Sequence, residues 1–162
     1  QLSNNKFDKK ILNNYDIFIL NPWDEFPFKN IDLFINTRSM MEMDYQTIQK
    51  YFDLIHSTIS HNGYFLNINR YYKDTTGYPI EFHRYPYDKK WQIIFSKTSW
   101  QQNHVHAMLT LRTKKESEAV YLEQKNIKKV MFKRIKQDPR IIRRVLPDTI
   151  YKIYKYLKKT FK

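Results

Sequence analysis

Apolar positions come as short unbroken runs early in the chain and at helical spacing afterwards. The run Tyr15-Asp-Ile-Phe-Ile-Leu20 is stopped by Asn21-Pro22, and the connection WDEFPFKN leads to a second run at Asp32–Asn36. Runs this short and continuous predict strands covered on both faces, as in a parallel sheet. From Asp44, apolar residues recur at Ile48, Tyr51, Phe52, Ile55 and Ile59, the spacing of an amphipathic helix. Asp44 is its predicted N-cap and His61-Asn62-Gly63 its predicted stop. Tyr64–Asn69 resumes a strand, so strand, helix and strand together predict a right-handed βαβ unit.

After Arg70 the period is lost. The stretch YYKDTTGYPIEFHRYPYDKK predicts a loop or hairpin lying over the sheet. Two further strands follow, Trp91–Ser96 and Val105–Leu111, and the short link KTSWQQNH between them predicts an antiparallel pair at a sheet edge. From about Lys114 the chain is charged and helical, broken at Pro139 and Pro147. A last helix, Asp148–Phe161, places Ile150, Ile153, Tyr154 and Leu157 on one face. The expected fold is α/β, with parallel strands plus an antiparallel edge pair over residues 1–112, followed by a basic amphipathic helical tail over 113–162.

Charge sharpens that division. The net charge is +13, but residues 1–112 hold 13 basic and 11 acidic side chains while 113–162 hold 16 and 5. The basicity therefore belongs to the C-terminal segment. There its apolar faces rimmed by lysine suit peripheral contact with an anionic membrane through residues 114–162. Nucleic acid is the rival partner, with aromatics to stack on bases, but the positive charge does not coincide with the candidate site. The absence of Cys fits a reducing, cytoplasmic setting, and no stretch has the apolar length of a membrane span. Gly63 and Gly77 are the only glycines, which excludes a P-loop and a G-x-G-x-x-G turn.

The segment DLFINTRSMMEM, residues 32–43, changes from strand to polar break to helix, the place where α/β proteins set their ligands. With the helix through YFDLI, then GYFLNINRYYK, YPYDKKW and SWQQNHVHAMLTLR, it makes an ordered series. That series resembles the putative sugar O-methyltransferase family, S-adenosylmethionine-dependent enzymes associated with bacterial surface polysaccharides. The resemblance spans roughly residues 15–112. It implies a Rossmann-like methyltransferase sheet of seven strands. On that template 15–20 is the third strand, 32–36 the fourth, 64–69 the fifth and 91–111 the closing pair. The family's first strand, glycine-rich cofactor loop and acidic second-strand end have no counterpart. The expectation is the C-terminal portion of a longer enzyme, inactive alone.

Methyl transfer to a hydroxyl gains from removal of the hydroxyl proton, which calls for a carboxylate or His in reach. Glu42 is the candidate base; Ser39 and Glu42 equally have the S-x-x-E form of a capping box. His106, matching the family's H in S-W-x-Q…H, is the alternative base. On the template, Asn21, Trp23, Asn36 and Thr37 fall on the cofactor side, and Trp23 is as readily a core-edge residue. Ser39, Asn69, Arg70, Tyr71 and His83 fall on the acceptor side, although Arg70 also suits a surface ion pair. Met40, Met41 and Met43 suit core filling better than cofactor contact. His104 and His106 flank one strand residue and share a face, but without an evident third ligand no metal site is expected. His56 and His61 are expected on a helix surface.

Overall fold

The computed structural model describes residues 17, 19, 20, 26–74 and 77–135, and 149, 150, 152, 153, 156 and 157 of the last helical stretch. The architecture is α/β. Four strands, β1 (Ile31–Thr37), β2 (Ile59–Arg70), β5 (Trp91–Thr98) and β6 (Val105–Arg112), form one mixed sheet in the order β1-β2-β6-β5. β1 and β2 pair in parallel across helix α1 (Tyr45–Thr58), and β6 runs antiparallel to both β2 and β5. β1, β2 and β5 therefore point the same way, and their C-terminal ends share one edge of the molecule. The expected antiparallel pair lies at a sheet edge, with β5 outermost.

Asp44 caps α1 as its sequence implies, its carboxylate accepting from the Thr47 amide at 2.6 Å. Ile48, Phe52, Ile55 and Thr58 form the buried stripe. The helix ends at Thr58, however, and Ile59 begins β2, so His61-Asn62-Gly63 lies inside the strand rather than stopping the helix. Close approach explains the glycine: a Cβ at Gly63 would sit 2.8 Å from the Ile31 carbonyl oxygen and 2.7 Å from Ile59 Cγ1. The pairing of β1 with β2 is irregular at this point, between Ile31 and Leu33.

The segment after Arg70 does lie over the sheet. A two-stranded ribbon, β3 (Tyr72–Lys73) with β4 (Ile80–Glu81), leads into a 3₁₀ turn at Phe82–Arg84. Ile80, Phe82 and Tyr85 are buried there. Phe52 meets Phe65, Tyr85 and Tyr87 edge to face at 5.6, 6.2 and 4.8 Å, the aromatic centre of the core. Helix α2 (Ala119–Ile135) completes that layer, burying Val120, Ile127 and Met131.

Both helices lie on one face of the sheet. On the other, the register aligns Leu33, Tyr64 and Leu111 in one row and Ile35, Leu66, Leu109 and Phe95 in the next. Among the described residues no helix covers these rows, and Leu33 and Ile35 are 50% and 60% exposed. Nor does any described strand pair with the outer edge of β1. Half of the predicted strand at 15–20 falls outside the described residues. Ile17 and Ile19, which are described, are not in a strand and lie 82% and 97% exposed. An apolar run is buried only where a neighbouring strand or layer receives it, and among the described residues none receives Ile17 or Ile19.

Candidate functional site

The C-terminal end of β1 turns sharply. Arg38 takes a left-handed backbone, φ +59°, which costs a non-glycine residue roughly 1–2 kcal/mol. The amide of Arg38 donates to the Ile68 carbonyl at 2.7 Å, holding that conformation against β2. The chain then makes a 3₁₀ turn, Met40–Glu42, with Met40 and Met41 buried as core filling. The capping box does not form: Ser39 makes no side-chain cap, and its hydroxyl instead accepts from Asn36 Nδ2 at 2.6 Å. Glu42 is half-exposed and ion-paired with Lys73, whose side chain is 10% exposed. Thr37, Ser39 and Glu42 are thus the expected site residues that reach solvent at this end.

Beneath the turn lies a cluster of buried amides. Asn69 Nδ2 donates to Asn36 Oδ1 at 2.8 Å and to Asn67 Oδ1 at 2.6 Å, while its Oδ1 accepts from the Met41 amide at 3.3 Å. Asn67 Nδ2 donates to the Tyr87 hydroxyl at 3.1 Å. Asn67 and Asn69 are fully buried, so these bonds offset the loss of water that each amide suffers. Burial also pushes the Tyr87 phenol far up, keeping it neutral. The cluster ties β1, β2, the methionine turn and the covering segment together. Asn36 and Asn69 are therefore consumed internally rather than offered to a ligand.

A second polar chain crosses the sheet beneath α2. Ser96 Oγ donates to Glu123 Oε1 at 2.6 Å, and because a carboxylate only accepts, the direction of every other bond follows. His106 Nε2–H donates to Ser96 at 2.7 Å, Tyr71 O–H to His106 Nδ1 at 2.9 Å, and Thr98 O–H to Tyr71 at 2.7 Å. Arg134 donates to Thr98 Oγ1 at 3.1 Å. The chain starts and ends on α2, at Arg134 and Glu123, and clamps that helix to β5, β6 and Tyr71, the residue after β2. Burial, with a smaller contribution from Arg134, pushes the His106 imidazole down to about 4, so it is neutral near pH 7.

This placement corrects the expectation that His106 is a base: it is 3% exposed and both ring nitrogens are engaged. Tyr71, expected on the acceptor side, is likewise buried in the chain, its phenol pushed up by burial. Asn69 and Arg70 point to opposite faces of β2, as strand alternation requires, and do not join one site. Arg70 Nε is buried without a hydrogen-bond partner. The side chain of His83 is 10% exposed and faces Glu81 at 3.8 Å, away from open solvent. His104 precedes β6 in the turn and shares no strand face with His106. His56 is not a surface residue either: its Nε2 accepts from Trp91 Nε1 at 3.1 Å, and burial lowers its pKa. His61 sits exposed on β2, not on a helix. Asn21 and Trp23 lie outside the described residues.

Sequence reasoning missed Asn67, Ser96, Thr98, Glu123 and Arg134. The alternations Asn67-x-Asn69 and Ser96-x-Thr98 were the available signal, since each puts two polar groups on one strand face. Glu123 and Arg134 carried none, being charged residues on a charged helix. An open cleft lined by His61, Gln92, Thr113, Lys114 and Lys115 lies at the opposite end of the sheet, away from these clusters. Among the described residues no three His, Asp or Glu gather as a metal site, and no helix is long and apolar enough to cross a membrane. Compared with protein-family models, curated proteins and solved structures, the chain matches none.

Proposed function

We propose that this chain is the C-terminal portion of an S-adenosylmethionine-dependent O-methyltransferase acting on a sugar hydroxyl, with a Rossmann-like sheet. The observation that carries the proposal is the ordered series INTRSMMEM, then NR, then S-W-x-Q…H…R. Its first two members and the S-W-x-Q turn gather at the shared C-terminal end of β1, β2 and β5. The resemblance implies one antiparallel strand at the sheet edge; β6 is antiparallel but lies between β2 and β5, so the count is matched and the edge position is not.

The described residues do not by themselves fit the cofactor. Asn36 is already bonded to Ser39, Met40 and Asn69, and no glycine lies at the strand-end turn to let a backbone approach a ligand. The cofactor's grip is assigned to sequence other than the described residues. What this chain supplies is the acceptor side. Glu42 takes the proton of the attacking hydroxyl, and Lys73 fixes the orientation of that carboxylate. His106 acts one step behind, holding Tyr71 and α2 in place rather than touching substrate.

The test is isothermal titration of S-adenosylmethionine into a version extended upstream of Gln1. Saturable binding is expected, and a flat titration sinks the proposal. In the same version Glu42→Gln is expected to lower methyl transfer to a sugar acceptor by about 100-fold or more with cofactor affinity unchanged.

A further inference from the structure

One side chain at the same end of the sheet has no structural use. Trp100, on the turn between β5 and β6, is 90% exposed, although an indole is among the side chains that gain most from burial. Its turn is not loose. The Ser99 amide donates to the Val105 carbonyl at 2.8 Å, and the Val105 amide to Gln102 at 2.9 Å. The Tyr71 amide donates to the His104 carbonyl at 3.0 Å, and Arg134 of α2 holds the Asn103 carbonyl. Bonds from β2's extension, β6 and α2 thus fix the platform in advance, so binding there orders little further.

The company of the indole indicates what it meets. Residues 98–104, TSWQQNH, contain no Lys, Arg, Asp or Glu; Arg134, which reaches the turn from α2, is engaged with Thr98 and the Asn103 carbonyl, and Lys97 precedes it. A phosphate-bearing partner, whether nucleic acid or an anionic lipid surface, recruits Lys and Arg. Neutral amides that both donate and accept, as on Gln101 and Asn103, match hydroxyls instead. A flat apolar ring rimmed by such amides complements a sugar, whose C–H face is apolar and whose edge is hydroxylated.

We propose that Trp100 is the stacking platform of a sugar subsite on the β5–β6 turn. Its ligand class rests on the sugar-acceptor reading above. Position extends that reading. Trp100 sits on the turn joining β5 to β6, two to three strands from β1, whose end leads to Glu42, on the order of 10–15 Å at normal sheet spacing. One sugar ring does not span that distance. A sugar on Trp100 is therefore separate from one at Glu42, and the acceptor is an oligosaccharide or polysaccharide, not a free monosaccharide.

The experiment exposes the 162-residue chain to arrayed oligosaccharide fragments of bacterial surface polysaccharides. The glycan bound is then titrated as a ladder from mono- to hexasaccharide, read by tryptophan fluorescence. Affinity is expected to rise at least tenfold from mono- to trisaccharide. Trp100→Ala is expected to lose at least tenfold and Trp100→Tyr to keep most of the binding, both with unchanged urea midpoints because the side chain is exposed. The proposal is overturned if no glycan binds, if affinity is flat along the ladder, or if Trp100→Ala binds as wild type. Loss of binding to phosphatidylglycerol vesicles or to RNA in Trp100→Ala, with glycan binding intact, overturns it as well. Glycan binding needs no methyl donor, so a flat S-adenosylmethionine titration and a blank array are separate failures.

Discussion

The two faces of the sheet reverse the usual arrangement of polar and apolar groups. Under the helices, β2 and β6 bury Asn67, Asn69, His106 and Thr110 almost completely. On the open side β1 and β2 show water Leu33, Ile35 and Tyr64. Burying a polar group is costly without a hydrogen bond, and here the amide cluster and the Arg134-to-Glu123 chain supply bonds to Asn67, Asn69 and His106, while the Tyr85 hydroxyl and Arg134 Nε stay buried without a partner. Apolar groups tolerate exposure without such conditions. The covered face is therefore specified by directional bonds, and the bare face only by the alternation of the strands.

Three perturbations sharpen the contrast. The largest effect is expected from acid. The imidazole of His106 titrates near 6.5 when unfolded and at about 4 when folded, so between those values the unfolded chain binds the extra proton. Stability is then greatest above about pH 6.5 and falls as pH drops toward 4, by about 3 kcal/mol in all. Urea unfolding across this range should fall more steeply in wild type than in His106→Gln, which keeps the part contributed by His56 and His83, whose pKa values burial also lowers; equal slopes in both would break the comparison. Next comes Asn69→Ala, which strands Asn67 Oδ1 and the Met41 amide and should cost about 2 kcal/mol by urea midpoint. The smallest change is expected on the bare face. Ile35→Thr should shift stability by no more than about 0.5 kcal/mol, and a larger loss would mean that Ile35 is covered in solution.

How much of this was legible follows from which interactions are local. Asp44 and Thr47 lie within one turn, and the stripe Ile48, Phe52, Ile55 repeats at helical period, so α1 could be read directly. The strands at 32–36, 91–96 and 105–111 announced themselves by apolar runs. The end of α1 could not be read in the same way. Ile59 continues the helical period, and only the approach of Gly63 to the Ile31 carbonyl shows that the strand has begun. α2 hides its buried stripe because Val120, Ile127 and Met131 are thinly spread among charged neighbours. Both polar clusters depend on partners far apart in the chain. Asn36 meets Asn69, and Ser96 meets Glu123, only once strand order and register exist. Glu42, expected as a base from its chemistry, is exposed; His106, expected from its match to the family's motif, is buried.

The free edge of β1 bears on how the protein is handled at the bench. Among the described residues no strand pairs with the outer edge of IDLFI, and beside its exposed leucine and isoleucine that edge is a surface onto which another copy's strand can add. Concentrated stocks should thicken or precipitate with time, and salt, by screening the high positive charge that keeps copies apart, should hasten it. Dilute, low-salt storage, or a lysine placed at position 33, follows from the same geometry.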